Sequence, residues 1–219
     1  MNISSEQLRL YAITDRKWCI NETLESQIYA ALSGAVTIVQ LREKNMNDTD
    51  FLSAAIAVKK ITSQFNVPLI INDNVDVAIK CDADGVHVGQ NDTNVTEIRK
   101  RWGKNKIIGV SARTTEAAVY AEKCGADYLG VGAMFSTSTK SNAKHVSFET
   151  LKEICDTVKI PVVAIGGITE NNMTQLKGCG AAGIAVVSAV FSAGNLDEIK
   201  AASYRLRRKS EDLFANSMQ

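Results

Sequence analysis

Short β-rich runs recur along this chain with helical patterns between them. The runs fall at residues 10–14, 37–41, 68–72, 85–88, 106–110, 128–132, 162–165 and 184–187. Across residues 49–65, apolar side chains sit at Phe51, Leu52, Ala55, Ile56, Val58 and Ile61, one face of a 3.6-residue period. Thr114 is placed to cap a helix through Ala117, Ala118 and Ala121 that Gly125 ends. Ser147 is placed to cap another through Leu151 and Ile154, with Pro161 just beyond. Asn195 or Leu196 starts the last helix, which trails into a polar tail at 205–219 expected to fray at its end.

Strands alternating with helices imply parallel βαβ units. Eight units predict a closed (β/α)8 TIM barrel, one α/β domain over residues 1–219. The alternative is a doubly wound open sheet, which needs only about five or six strands. The corners Cys124-Gly125-Ala126-Asp127 and Cys179-Gly180-Ala181-Ala182-Gly183 use one device twice: a helix stops on Gly and the chain turns into a strand.

Composition narrows the class of partner. The 219 residues are 45% hydrophobic and 22% charged, enough apolar material for a real core. Lys and Arg number 25 against 24 Asp and Glu, which leaves no cationic surplus for nucleic acid. A local cluster of cations still suits a phosphorylated small molecule. Cys19, Cys81, Cys124, Cys155 and Cys179 are scattered without CxxC spacing, so reduced thiols of a cytoplasmic protein are expected. No apolar run is long enough for a membrane span, and residues 1–10 lack a secretory core. A homo-oligomer is compatible with the pattern.

In a barrel the active site lies at the C-terminal ends of the strands. Strand 2 ends in Gln40-Leu41-Arg42-Glu43-Lys44, where the period of two puts Gln40, Arg42 and Lys44 on one face. An Arg fork and a Lys point charge suit phosphate oxygens, although a solvated strand end reads the same way. Strand 3 ends in Asn72-Asp73, and strand 4 supplies His87 within Gly85-Val86-His87-Val88-Gly89-Gln90, then Asp92. Asp73 and Asp92 suit either a Mg²⁺ site or two helix N-caps. His87 reads first as a packed strand residue. Strand 5 ends in Gly109-Val110-Ser111. Strand 6 leads to Thr137-Ser138-Thr139-Lys140, a hydroxyl-rich loop with donors for phosphate and the length of a lid. Gly166-Gly167 after strand 7 and Val187-Ser188 after strand 8 fall where barrels often cradle phosphate. No nucleophile dyad, HExxH or GxGxxG is present.

These segments, in this order, resemble the thiamine-phosphate synthase (thiamine-phosphate pyrophosphorylase) family from Leu10 to Phe191. The resemblance implies a transferase of thiamine biosynthesis. It would condense 4-amino-2-methyl-5-hydroxymethylpyrimidine diphosphate with a thiazole phosphate and release pyrophosphate. It implies that Gln40, Arg42, Lys44, Asn72, Ser111 and Lys140 hold the pyrimidine diphosphate. Thr137, Ser138, Thr139, Gly167, Val187 and Ser188 would surround the thiazole phosphate, and Asp73 and Asp92 would hold Mg²⁺, with Mn²⁺ an alternative. It further implies a dissociative route through a pyrimidine cation, with Arg42, Lys44 and Lys140 stabilising the leaving group and no protein nucleophile. Ala133 and Ser136 stand where the family often has proline, which predicts a looser loop 6. Two other readings are a thiazole tautomerase-like paralogue and a non-catalytic barrel that binds phosphate ligands.

Overall fold

The computed structural model describes residues 3–89, 92, 94–137 and 145–215. Its strands are β1 (Leu10–Ile13), β2 (Ile38–Leu41), β3 (Leu69–Asn72), β4 (Gly85–Val88), β5 (Ile107–Ala112), β6 (Tyr128–Val131), β7 (Val162–Ile165) and β8 (Gly183–Val186). All pair in parallel and in chain order, and β8 pairs back onto β1 from Leu10↔Ile184 to Ala12↔Val186. The sheet is therefore a closed barrel, and the open-sheet alternative falls. Each expected strand is present with its ends shifted by two residues at most.

The surrounding helices are α1 (Leu24–Ser33), α2 (Asp48–Gln64), α3 (Val75–Lys80), α4 (Val95–Trp102), α5 (Thr115–Lys123), α6 (Phe148–Thr157), α7 (Ser188–Phe191) and α8 (Leu196–Phe214). Between β7 and β8 the described helical structure is a short 3₁₀ turn, Met173–Leu176. Asn47, Thr114, Ser147 and Asn195 each accept a backbone N–H at a helix start, a cap worth about 1 kcal/mol.

Alternation along the strands divides the core in two. Tyr11, Ile13, Ile38, Ile70, Ile107, Tyr128, Val163 and Ala185 fill the barrel interior. Their neighbours, such as Leu10, Val39, Leu41, Ile71, Val86, Ile108 and Leu129, pack outward against the helices. At the N-terminal end, one motif joins successive strands. Asp84 Oδ2 accepts Leu69 N at 2.7 Å, and Asp127 Oδ2 accepts Ile108 N at 2.7 Å. Lys59 pairs with Asp84 at 2.7 Å and Arg99 pairs with Asp127, which ties helices to these corners.

The expected polar tail needs correction. Residues 205–214 continue α8, and Leu206, Ser210 and Phe214 are buried at a four-residue spacing. Ser210 Oγ donates to Arg9 O at 2.5 Å. A narrow apolar stripe among many charges had disguised a packed helix as a tail.

Candidate active site

At the C-terminal ends of the strands lies a cavity of about 270 Å³. The β2 end is built by alternation. Gln40 points inward and is only 3% exposed, Leu41 packs outward, and Arg42 and Lys44 line the cavity. Thr14 fixes this segment: its N–H donates to Gln40 O at 3.0 Å, and its hydroxyl accepts Arg42 N at 3.0 Å. Glu43 accepts Arg16 Nε at 2.7 Å and ties the β1 loop to the β2 loop. Burial pushes the Glu43 carboxyl up, and the Arg16 charge and hydrogen bond oppose that shift.

The structure rules out the cap reading of the two aspartates. Asn74 caps α3 by accepting Val77 N, and Asn94 caps α4 by accepting Thr96 N. Asp73 and Asp92 therefore cap neither helix, and both line the cavity. Asp73 has a left-handed backbone (φ 62°) and donates its N–H to His87 O at 2.9 Å. Its carboxylate accepts Asn72 Nδ2 at 2.6 Å, and Asp92 accepts Gly89 N at 2.6 Å. The Asp73 carboxyl is raised above its ordinary range, first by loss of water and then by the charge and contact of Asp92. Asn72 and Arg42 pull it back down. A proton or a cation beside Asp73 and Asp92 would relieve that repulsion.

The opposite wall is made largely of backbone. Met134 N donates to Ile165 O at 2.9 Å, and Phe135 N donates to Gly166 O at 3.0 Å. Val146 N closes onto Ala133 O at 2.9 Å. The described ends of loop 6 are thus hydrogen-bonded without proline at Ala133 or Ser136, and the rest of the loop expected to be looser, residues 138–144, lies outside the described residues. Gly167 (φ 64°) lies against Ser136 O, so a side chain would meet both strain and a clash. Asn172 locks the turn, donating to Gly167 O at 2.9 Å and accepting Thr169 N at 2.8 Å.

Gln40, Arg42, Lys44, Asn72, Asp73, Asp92, Ser111, Thr137, Gly167, Val187 and Ser188 all face this one cavity. Ser138, Thr139 and Lys140 lie outside the described residues. His87 lines the cavity too, and hydrogen-bonds Tyr128 Oη at 3.0 Å and Ser111 Oγ at 2.9 Å. Sequence reading missed Tyr11, Tyr128, Arg113 and the Arg16–Glu43 pair. Polar-tipped aromatics at inward strand positions were the available signal for the tyrosines. Arg113, exposed at the rim, had none beyond its place two residues after Ser111.

Comparison with known proteins agrees with this geometry. The family model described as thiamine monophosphate synthase matches residues 10–190. The chain is similar to a thiamine-phosphate synthase of Ruminiclostridium cellulolyticum, 55% identical over 183 residues, covering 84% of this chain and 87% of that one. One from Clostridium acetobutylicum is 50% identical over 190 residues, covering 87% and 90%. Among solved structures, the thiamine phosphate pyrophosphorylase of Pyrococcus furiosus superposes with a TM-score of 0.86 at 36% identity, covering 95% of this chain and 98% of that one.

Proposed function

Because the chain belongs to the thiamine monophosphate synthase family and is a transferase of the thiamine-phosphate synthase type, we propose that it joins 4-amino-2-methyl-5-hydroxymethylpyrimidine diphosphate to a thiazole phosphate. The observation that carries this reading is the pair Asp73 and Asp92, left uncapped beside Arg42 and Lys44 in one cavity. A phosphate-binding barrel or a tautomerase-like paralogue has no use for that pair.

The residues fit Mg²⁺, which keeps its waters and takes one or two carboxylates together with substrate phosphate. No group of three or more His, Cys, Asp or Glu at metal-holding distance occurs among the described residues, so the two carboxylates would share the ion with water and substrate phosphate. Bound there by Asp73 and Asp92, the ion would supply charge stabilisation to the departing pyrophosphate.

The chain's own groups do the rest. Gln40, Asn72 and Ser111 hold the pyrimidine part, and Arg42 and Lys44 clamp the diphosphate; Lys140 joins them on the resemblance alone. The pyrimidine methylene–oxygen bond breaks, and its electron pair leaves with pyrophosphate. The ring then carries a cation. The thiazole nitrogen lone pair forms the new C–N bond, so no protein nucleophile is needed. Gly167, Val187 and Ser188, with Thr137, Ser138 and Thr139, hold the thiazole phosphate so that its nitrogen faces the cation.

The test is a coupling assay with both substrates and Mg²⁺. Pyrophosphate and thiamine phosphate should form in equal amounts, and neither when one substrate is withheld. Purified protein that makes no thiamine phosphate rejects the reading.

A further inference from the structure

The barrel floor holds a buried polar chain whose middle members, Tyr11, Tyr128 and His87, the proposed reaction leaves unused. Gln40 Nε2 donates to Tyr11 Oη at 2.8 Å. Tyr11 Oη meets Tyr128 Oη at 2.8 Å, and Tyr128 Oη meets His87 Nδ1 at 3.0 Å. His87 Nε2 then meets Ser111 Oγ at 2.9 Å. The five residues come from β2, β1, β6, β4 and β5. The floor is shaped for them. Any side chain at Gly109 would strike the Tyr128 phenol, and a Cβ at Gly130 would come within 3.2 Å of the His87 ring.

Requiring each buried hydroxyl to find an acceptor selects one of the two directions that the heavy-atom distances allow. Tyr11 accepts from Gln40, and Tyr128 Oη is the partner left to take its proton. Tyr128 in turn donates to His87 Nδ1, which places the imidazole proton on Nε2. That proton goes to Ser111 Oγ, and the serine hydroxyl is left to donate into the cavity. At the other end, the Gln40 amide spends one N–H on Tyr11, which fixes the flip of the amide and leaves its carbonyl oxygen free to accept. The Ser111 end donates, and the Gln40 end can accept.

We propose that Tyr11, Tyr128 and His87 are positioning residues that fix the flip of the Gln40 amide and make Ser111 a donor, and so select an aminopyrimidine over its oxo counterpart. The proposal rests on the placement of the pyrimidine at Gln40 and Ser111. An aminopyrimidine presents an N–H donor beside a ring-nitrogen acceptor, which suits an acceptor at Gln40 and a donor at Ser111. The oxo ring presents a carbonyl beside a ring N–H, the inverse pattern. It binds only by mispairing at Ser111 or by reversing the hydrogen bonds of the chain together. Burial raises both phenols above their ordinary pKa, so each hydroxyl keeps the proton the chain needs.

The test measures the affinities of the 4-amino and 4-oxo pyrimidine monophosphates, which cannot release pyrophosphate, by calorimetry. It compares wild type, Tyr11→Phe, Tyr128→Phe and Ser111→Ala. Either phenylalanine variant should reduce the wild-type preference for the amino ring about tenfold, the worth of one buried hydrogen bond. Equal weakening of both ligands, or an unchanged preference, overturns the proposal. If Ser111→Ala binds the amino ring as wild type does, the ring does not sit there, and the reading beneath the proposal falls with it. If Ser111→Ala weakens binding while the phenylalanine variants keep the preference, only the positioning proposal falls. Nitrogen NMR of the wild-type protein, which has only two histidines, tests the direction without any variant. His87 should carry its proton on Nε2, and a proton on Nδ1 overturns the proposal.

Discussion

The two sides of the cavity are built from different materials. On the β2–β5 side the lining is side chains: Gln40, Arg42, Lys44, Asn72, Asp73 and Asp92. On the β6–β8 side it is mostly backbone and small residues: Gly166, Gly167, Val187 and Ser188. A diphosphate with a metal carries dense charge and needs formal counter-charges. A single phosphate can be held by N–H groups at turns and helix starts, which need close approach rather than charge. The contrast fits one cavity serving two anions of different charge density.

Substitutions can break this contrast from either side. The largest effect is expected at the aspartates. Asp73→Ala or Asp92→Ala should cut turnover about a hundredfold or more, since charge stabilisation of the leaving group is lost. Normal activity in either variant would rule out the metal assignment. The same pair makes a prediction about stability. The Asp73 carboxyl is raised in the folded state, so the fold binds that proton more tightly than the unfolded chain does. Stability from this group is full below the ordinary carboxylate pKa and is lost as pH rises through the raised one. Without metal, Asp73→Asn should therefore melt higher than wild type at pH 7, with the gain vanishing below the ordinary carboxylate range. Thermal melts at the two pH values check this, and a lower melting point at pH 7 would contradict it.

Arg42→Ala comes next. It should reduce kcat/KM for the pyrimidine diphosphate about tenfold to a hundredfold, the worth of a charged hydrogen bond. The KM for the thiazole phosphate should stay within about twofold, because the two walls are independent. Steady-state kinetics with each substrate varied in turn would show whether the division is real. The smallest effect is expected on the backbone wall. Gly167→Ala forces a left-handed side chain against Ser136 O, costing about 1 kcal/mol of strain before the clash. It should raise the thiazole phosphate KM roughly fivefold to tenfold and spare the pyrimidine diphosphate. If both KM values rise together, the walls are not separate.

The same contrast governs what the sequence could reveal. The charged wall was legible because alternation from Gln40 to Lys44 predicts a shared face from local geometry alone. Gly167 and Ser188 were legible only through the barrel, since Gly-Gly and Val-Ser are common in any turn. The polar chain of the floor was not legible. Tyr11 and Tyr128 are 117 positions apart, and each alone reads as a strand aromatic. Their meeting depends on register around a closed sheet, which no local pattern encodes. The α8 tail failed for the opposite reason: its local composition is polar, and only contact with Arg9 reveals the buried stripe.

Gly109 has a consequence beyond its own position. The phenol of Tyr128 occupies the room that a side chain at 109 would fill. What can stand at 109 is thus conditional on what stands at 128. Of the two orders of replacement, enlarging 109 first meets a collision. Shrinking 128 first leaves a hole and a severed proton chain but meets no collision. Variation at this floor has a preferred direction of travel, and a library that randomises either position alone will undercount the sequences that fold.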